Sequence, residues 1–150
     1  FAIMTSLLLI FALTAALEYS LVSGTIFQNC VIEVGNIDRK RECTFEKFLF
    51  DSNVPRVRDF VKCVLTGLEY YNPNNRNFNH GRLLQEMKEK AGFSEDAELS
   101  SVVEECKAKD GSQIEAYEYF MCLLNDEETN SSFKKLLTSK DDNFFTKTVC

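Results

Sequence analysis

Six cysteines punctuate this chain, at Cys30, Cys43, Cys63, Cys106, Cys122 and Cys150, with no CxxC pair among them. They follow an opening stretch, residues 1–16, that is almost wholly apolar; no charge appears before Glu18. A run of that length matches the apolar core of a secretory signal better than a membrane span. The usual basic start is missing and the chain opens on Phe1, so the signal is read as incomplete at its start, or as beginning at Met4. Small residues allow cleavage after Ala16 or, preferred here, after Gly24. No basic stop follows the run, which disfavours a retained anchor. The expected layout is a signal segment over residues 1–24 and one domain over residues 25–150. A signal, an even cysteine count and wide spacing together read as three disulfides formed in an oxidising compartment; sequence alone leaves fifteen pairings open.

The chain's 150 residues suit a single domain with a sizeable core. Its formal net charge is -6, so neither nucleic acid nor an anionic membrane is expected as a partner. With only two Pro and six Gly, helices are favoured over a turn-rich β domain. The apolar spacing agrees. Val57, Phe60, Val61, Val64, Leu65 and Leu68 fall on one helical stripe, with Pro55 placed for its opening turn. A polar, Asn-rich loop is expected over residues 70–79. Further helices are marked by Leu83, Leu84, Met87 and Ala91, stopping at Gly92. Leu99, Val102, Val103 and Cys106 mark the next, with Ser94 as its cap and Glu95 and Asp96 in its acidic first turn. After a break at Lys109-Asp110-Gly111, Ser112 and Glu115 form a capping box. The helix they open carries Ile114, Tyr117, Met121 and Leu124, with Phe120 beside the stripe. Phe133, Leu136 and Leu137 mark a short helix. Phe144, Phe145, Thr148 and Val149 mark another. Short helices are also expected over residues 30–34 and 45–50. The expectation is an all-α domain of six to eight short helices.

Catalytic signatures are missing. His80 is the single histidine, in a polar loop-to-helix boundary, and reads as a solvated surface residue. No zinc-ligand spacing, P-loop, GxGxxG or GxSxG occurs. The loop at residues 72–77 has the wrong ligands for calcium. Neither an enzyme nor a cofactor or metal is expected. Asn130-Ser131-Ser132 is a glycosylation sequon.

The cysteine spacing resembles the insect odorant-binding superfamily, and its long second gap resembles the short salivary D-seven proteins of blood-feeding flies. Residues 60–68 and 116–124 carry that resemblance with the cysteines, and Phe133-Lys134-Lys135 fits it. The resemblance implies disulfide-stapled helices around a small apolar cavity, with bridges Cys30–Cys63, Cys43–Cys150 and Cys106–Cys122. It implies a secreted salivary protein that sequesters small host mediators, biogenic amines or eicosanoids, to counter haemostasis and inflammation. Such a trap holds an apolar body among aromatic rings and an ammonium with carboxylates. Counting from Phe133, the family's two carboxylates fall on Thr138 and Asp141, so one acid is lost unless Asp142 substitutes. A family Tyr falls on Phe120, with Tyr119 adjacent, a family His on Phe60, and a family Arg on Glu46, with Lys47 beside it.

The same residues have plainer readings. Phe60 sits in a helical stripe and reads as core, and Phe120 as core or pocket wall. Asp141 reads as the cap of the last helix, and Glu46 as a surface acid. Phe in place of His and Tyr makes the centre more apolar, which points to a lipid or another apolar ligand, or to a cavity filled by its own side chains. The leading expectation is a monomeric scavenger of small mediators. The alternatives are an odorant or pheromone carrier, or an inhibitor of a host coagulation protein.

Overall fold

The computed structural model describes residues 25–91, 96–107, 114–147 and 150. Several expectations lie outside them: the signal segment, the stop at Gly92, the cap at Ser94 with Glu95, the break at Lys109-Asp110-Gly111, the cap at Ser112, and Thr148 with Val149. Eight helices occur among the described residues, in chain order α1 Ile26–Val34, α2 Arg39–Glu46, α3 Val57–Gly67, α4 His80–Ala91, α5 Asp96–Lys107, α6 Ala116–Asn125, α7 Asn130–Lys140 and α8 Asp142–Phe145. The all-α expectation is met.

The stripe on α3 organises the domain. Val57, Phe60, Val61, Val64 and Leu65 are all buried, because residues three and four apart share one helix face. That helix takes α1 on one side and α6 on another, while α7 packs against α4 and α6. Pro55 does not open α3; the helix starts two residues later, after Arg56 adopts a left-handed backbone at φ 66°. A turn built on Asp51, whose carboxylate accepts from the Asn53 backbone at 2.8 Å, occupies the preceding residues.

Four other segments differ from the sequence reading. The helix expected over residues 45–50 lies earlier, because Asp38 caps Arg39–Glu46 by accepting from the Arg41 amide at 2.9 Å. Phe48 then turns the chain with φ 59°, a conformation bulky residues seldom adopt, and Phe50 returns to stack on Phe45. The expected loop over residues 70–79 contains a small antiparallel hairpin, β1 Tyr71–Asn72 and β2 Asn77–Phe78, with Tyr71 opposite Phe78. On α6 the buried face is centred on Tyr119, Phe120 and Leu123, with Tyr117 and Leu124 also buried; Ile114 and Met121 are half-buried. The helix expected over residues 30–34 begins four residues earlier, at Ile26.

The disulfides pair as the resemblance implies: Cys30–Cys63 ties α1 to α3, Cys43–Cys150 ties α2 to the C-terminus, and Cys106–Cys122 ties α5 to α6. Cys43 and Cys150 are 107 residues apart. Closing so long a loop removes unfolded-state entropy equivalent to about 4–5 kcal/mol in the chain-entropy account.

Candidate ligand site

Phenylalanine rings run through the domain as a connected chain. From the surface inward, Phe48 stacks on Phe145 with centroids 4.6 Å apart, and Phe145 meets Phe27 edge-on at 4.7 Å. Phe27 leads to Phe60 at 6.0 Å, Phe60 to Phe45 at 4.7 Å and Phe45 to Phe50 at 5.1 Å. Phe50 meets Phe120 at 5.0 Å, and Phe120 meets Phe133 at 5.2 Å. These separations are those of favourable stacked and edge-to-face pairs. Phe60, Phe120 and Phe133, three of the six ligand positions named from sequence, are therefore brought together, each fully or almost fully buried. Phe48 and Phe145 stay half-buried and close the outer end.

The other three positions are arranged differently. Asp141 is buried, and its carboxylate binds two backbone amides: Oδ2 accepts from Phe27 at 2.9 Å and Oδ1 from Phe144 at 3.3 Å. It thus caps α8 and fastens α1 to the C-terminal segment. Burial raises its pKa, and the two amide hydrogen bonds only partly offset this. Thr138 donates its hydroxyl to the Lys134 carbonyl at 2.9 Å, a bond within α7. Glu46 is not a surface acid. Its side chain is almost wholly buried and accepts from Arg39 at 3.1 Å. The reason is tertiary: Arg39 lies two turns earlier on α2, and the Cys43–Cys150 bridge covers the same place.

Arg39 also pairs with Glu42 at 2.9 Å, and Lys147 reaches Glu42 at 2.9 Å and Gln28. Burial opposes the Glu42 charge, but hydrogen bonds from Lys147 and Arg39 outweigh it and hold the carboxyl below the usual range. This network clasps the C-terminal segment over Phe144, whose ring lies 4.9 Å from the Lys147 ammonium. Glu46 and the sulfurs of Cys43 and Cys150 come within 4.8 Å of one another, but those sulfurs are bonded to each other and are not thiolate ligands for a metal. Asp142, the substitute acid, is exposed and lines an open groove with Lys90, Lys134, Lys135, Thr138 and Ser139.

The profile of the PBP/GOBP family matches residues 23–126, well over half of the chain. The chain belongs to the PBP/GOBP family. Its members bind small ligands. The short form salivary protein D7S1 of Aedes aegypti is 28% identical over 124 residues, covering 83% of each chain.

Two further positions have partners that the sequence does not show. His80 is half-buried as the first residue of α4, with Nε2 3.0 Å from a Glu104 carboxylate oxygen. The amide nitrogen of Asn130, the atom a glycan would take, donates to the Leu124 carbonyl at the start of α7. Phe27, Phe48, Arg39 and Lys147 were not singled out from sequence. Phe27, Phe48 and Lys147 have partners up to 119 residues away and no local pattern marks them, whereas Arg39 pairs with Glu42 and Glu46 of its own helix. No helix among the described residues is long and apolar enough to cross a membrane.

Proposed function

We propose that this protein is a secreted salivary scavenger whose ligand is an apolar, lipid-type host mediator of the eicosanoid kind rather than a biogenic amine. The observation that carries the ligand choice is the state of the carboxylates. An amine trap needs an acid free to meet an ammonium in a dry pocket. Here Thr138 replaces one acid, both oxygens of Asp141 accept from backbone amides, and Glu42 and Glu46 are neutralised by Arg39 and Lys147. The ring chain from Phe48 to Phe133 favours a ligand with an extended apolar body. The salivary relative and the three disulfides support secretion into saliva.

In mechanism the protein is a stoichiometric trap. A ligand would part Phe48 from Phe145 at the outer end and replace ring–ring contacts with ring–ligand contacts. Each ligand methylene buried among the rings would gain about 0.8 kcal/mol. The Asp141 clamp and the Lys147 clasp hold the C-terminal segment over the site. Native mass spectrometry of the oxidised protein, offered serotonin, histamine, noradrenaline, a leukotriene and a thromboxane analogue, tests the reading. A one-to-one lipid adduct is expected. An amine adduct, or no adduct from fully oxidised protein, overturns it.

A further inference from the structure

Several cations among the described residues are paired. Arg39, Arg41, Arg56, Arg58, Arg82, Lys140 and Lys147 each hold a carboxylate. Lys90, Lys134 and Lys135 form no ion pair among the described residues, although the chain carries 23 acids against 17 Lys and Arg. These three lysines line one groove of about 500 Å³ between α4 and α7, together with Thr138, Ser139 and Asp142. Like charges set side by side repel, so an acidic chain that gathers three unpaired ammonium groups has a surface suited to an anion.

The groove also adjoins the aromatic site. The Lys134 ammonium sits 5.6 Å from the centre of the Phe48 ring, and Phe48 stacks on Phe145 at the outer end of the ring chain. Leu49, next in sequence to Phe48, is 59% exposed. The Thr138 and Ser139 hydroxyls donate to the Lys134 and Leu136 carbonyls of their own helix, so the lysines are the groove's donors to an anion. A cationic groove therefore runs into an apolar, half-open aromatic pair.

We propose that the α4–α7 groove is the head-group site for a single-chain amphiphile bearing a carboxylate, with Lys90, Lys134 and Lys135 holding the carboxylate and the chain passing between Phe48 and Phe145. The proposal deepens the lipid reading above and rests on it. The division of labour is physical. Exposed lysines contribute modest, salt-screened attraction, so the tail supplies affinity and the head group supplies selectivity. Asp142, the one acid lining the groove among the described residues, works against such a ligand, whereas it would favour an ammonium.

The test uses dansyl-labelled undecanoic acid and its methyl ester, titrated against the full oxidised protein by fluorescence. The acid is expected to bind about tenfold more tightly than the ester. A Lys90→Gln/Lys135→Gln variant should erase that preference without weakening ester binding. The matching Lys→Arg pair should retain it, and Asp142→Asn should strengthen the acid. Lys62→Gln, in the separate groove between α1 and α3, should change nothing. If acid and ester bind equally in every variant, the head-group site is refuted while the apolar site stands. If neither binds, the lipid reading and the groove fall together. Loss of the preference in the Lys→Arg pair would mean that packing, not charge, made the difference, and would also overturn the proposal.

Discussion

The ring chain and the lysine groove lie side by side and are built on opposite principles. Inside, Phe27, Phe45, Phe60, Phe120 and Phe133 have at most 1% of their surface exposed, and each ring touches another. Stability there comes from close packing, and any change of volume is felt across several helices. Outside, Lys90 and Lys135 are exposed and Lys134 half-buried, and removing their charge disturbs no packing contact apart from the Lys134–Phe48 approach. Asp141 and Asp142 divide along the same line. The first is buried and fixed by two amides, while the second lines the open groove. Neighbours in sequence thus serve the fold in one case and leave a surface free for recognition in the other.

The largest effect should come from Phe60→Ala. Phe60 joins Phe27 to Phe45 at the middle of the ring chain, and its loss should cost about 3–5 kcal/mol in urea unfolding of the oxidised protein. Lys135→Gln should change stability by less than about 0.5 kcal/mol. A Phe60→Ala cost below about 1 kcal/mol would mean that the rings are loosely packed, and the contrast between interior and groove would fail. Asp141→Ala comes next. It removes the acceptor of two buried amides and should cost about 2 kcal/mol, against almost nothing for Asp142→Ala. Equal effects would show that the clamp seen at Phe27 and Phe144 does not hold in solution.

The pH dependence of the clasp is smaller. Glu42 has a folded pKa below its ordinary value of 4.5, because Lys147 and Arg39 favour its charge more than burial opposes it. Its contribution is therefore complete above about pH 4.5 and is lost as pH falls through the lower folded value. Asp141 has the opposite sign: its folded pKa is raised, so its protonation on acidification favours the folded state. Glu42→Gln should lower the melting temperature at pH 7, and the deficit should shrink on acidification as wild-type Glu42 takes up its proton. A deficit that persists undiminished at pH 2 would mean that shape rather than charge holds Lys147.

What could be read from the sequence followed range. The α3 stripe was legible because Val57 to Leu68 carry a 3.6-residue period within a single helix. Asp141 was legible as a cap because its partner Phe144 is three residues away, but its second bond, to Phe27, spans 114 residues and leaves no local trace. Glu46 was misread for the same reason: its burial is set by Arg39 and by the C-terminus folding over α2. The turn at Phe48 was hidden because a positive φ is normally advertised by Gly or Asn, and neither is present there. The hairpin at Tyr71 and Phe78 was hidden because two-residue strands are too short to show alternation. The groove was invisible because Lys90 stands more than forty residues from Lys134 and Lys135 in sequence.

The finest test of the interior lies in two tyrosines two residues apart at the start of α6. Tyr117 donates its hydroxyl to the Phe50 carbonyl at 2.7 Å. Tyr119 has no exposed surface, stacks on Phe78 with centroids 4.1 Å apart, and has no hydrogen-bond partner for its hydroxyl among the described residues. Burial, with the Glu104 charge adding to it, keeps that hydroxyl protonated well above the usual tyrosine range. A buried hydroxyl left unpaired costs about 1–3 kcal/mol, whereas a paired one contributes about 1 kcal/mol. The two Tyr→Phe changes should therefore differ in sign: Tyr117→Phe should lower stability by about 1 kcal/mol, and Tyr119→Phe should raise it by up to about 1 kcal/mol. Both remove the same atom from the same helix, so helix propensity and volume cancel in the comparison. A loss at Tyr119 as large as that at Tyr117 would mean its hydroxyl has a polar partner in solution, and the interior beside Phe78 would not be the dry packing that the ring chain displays.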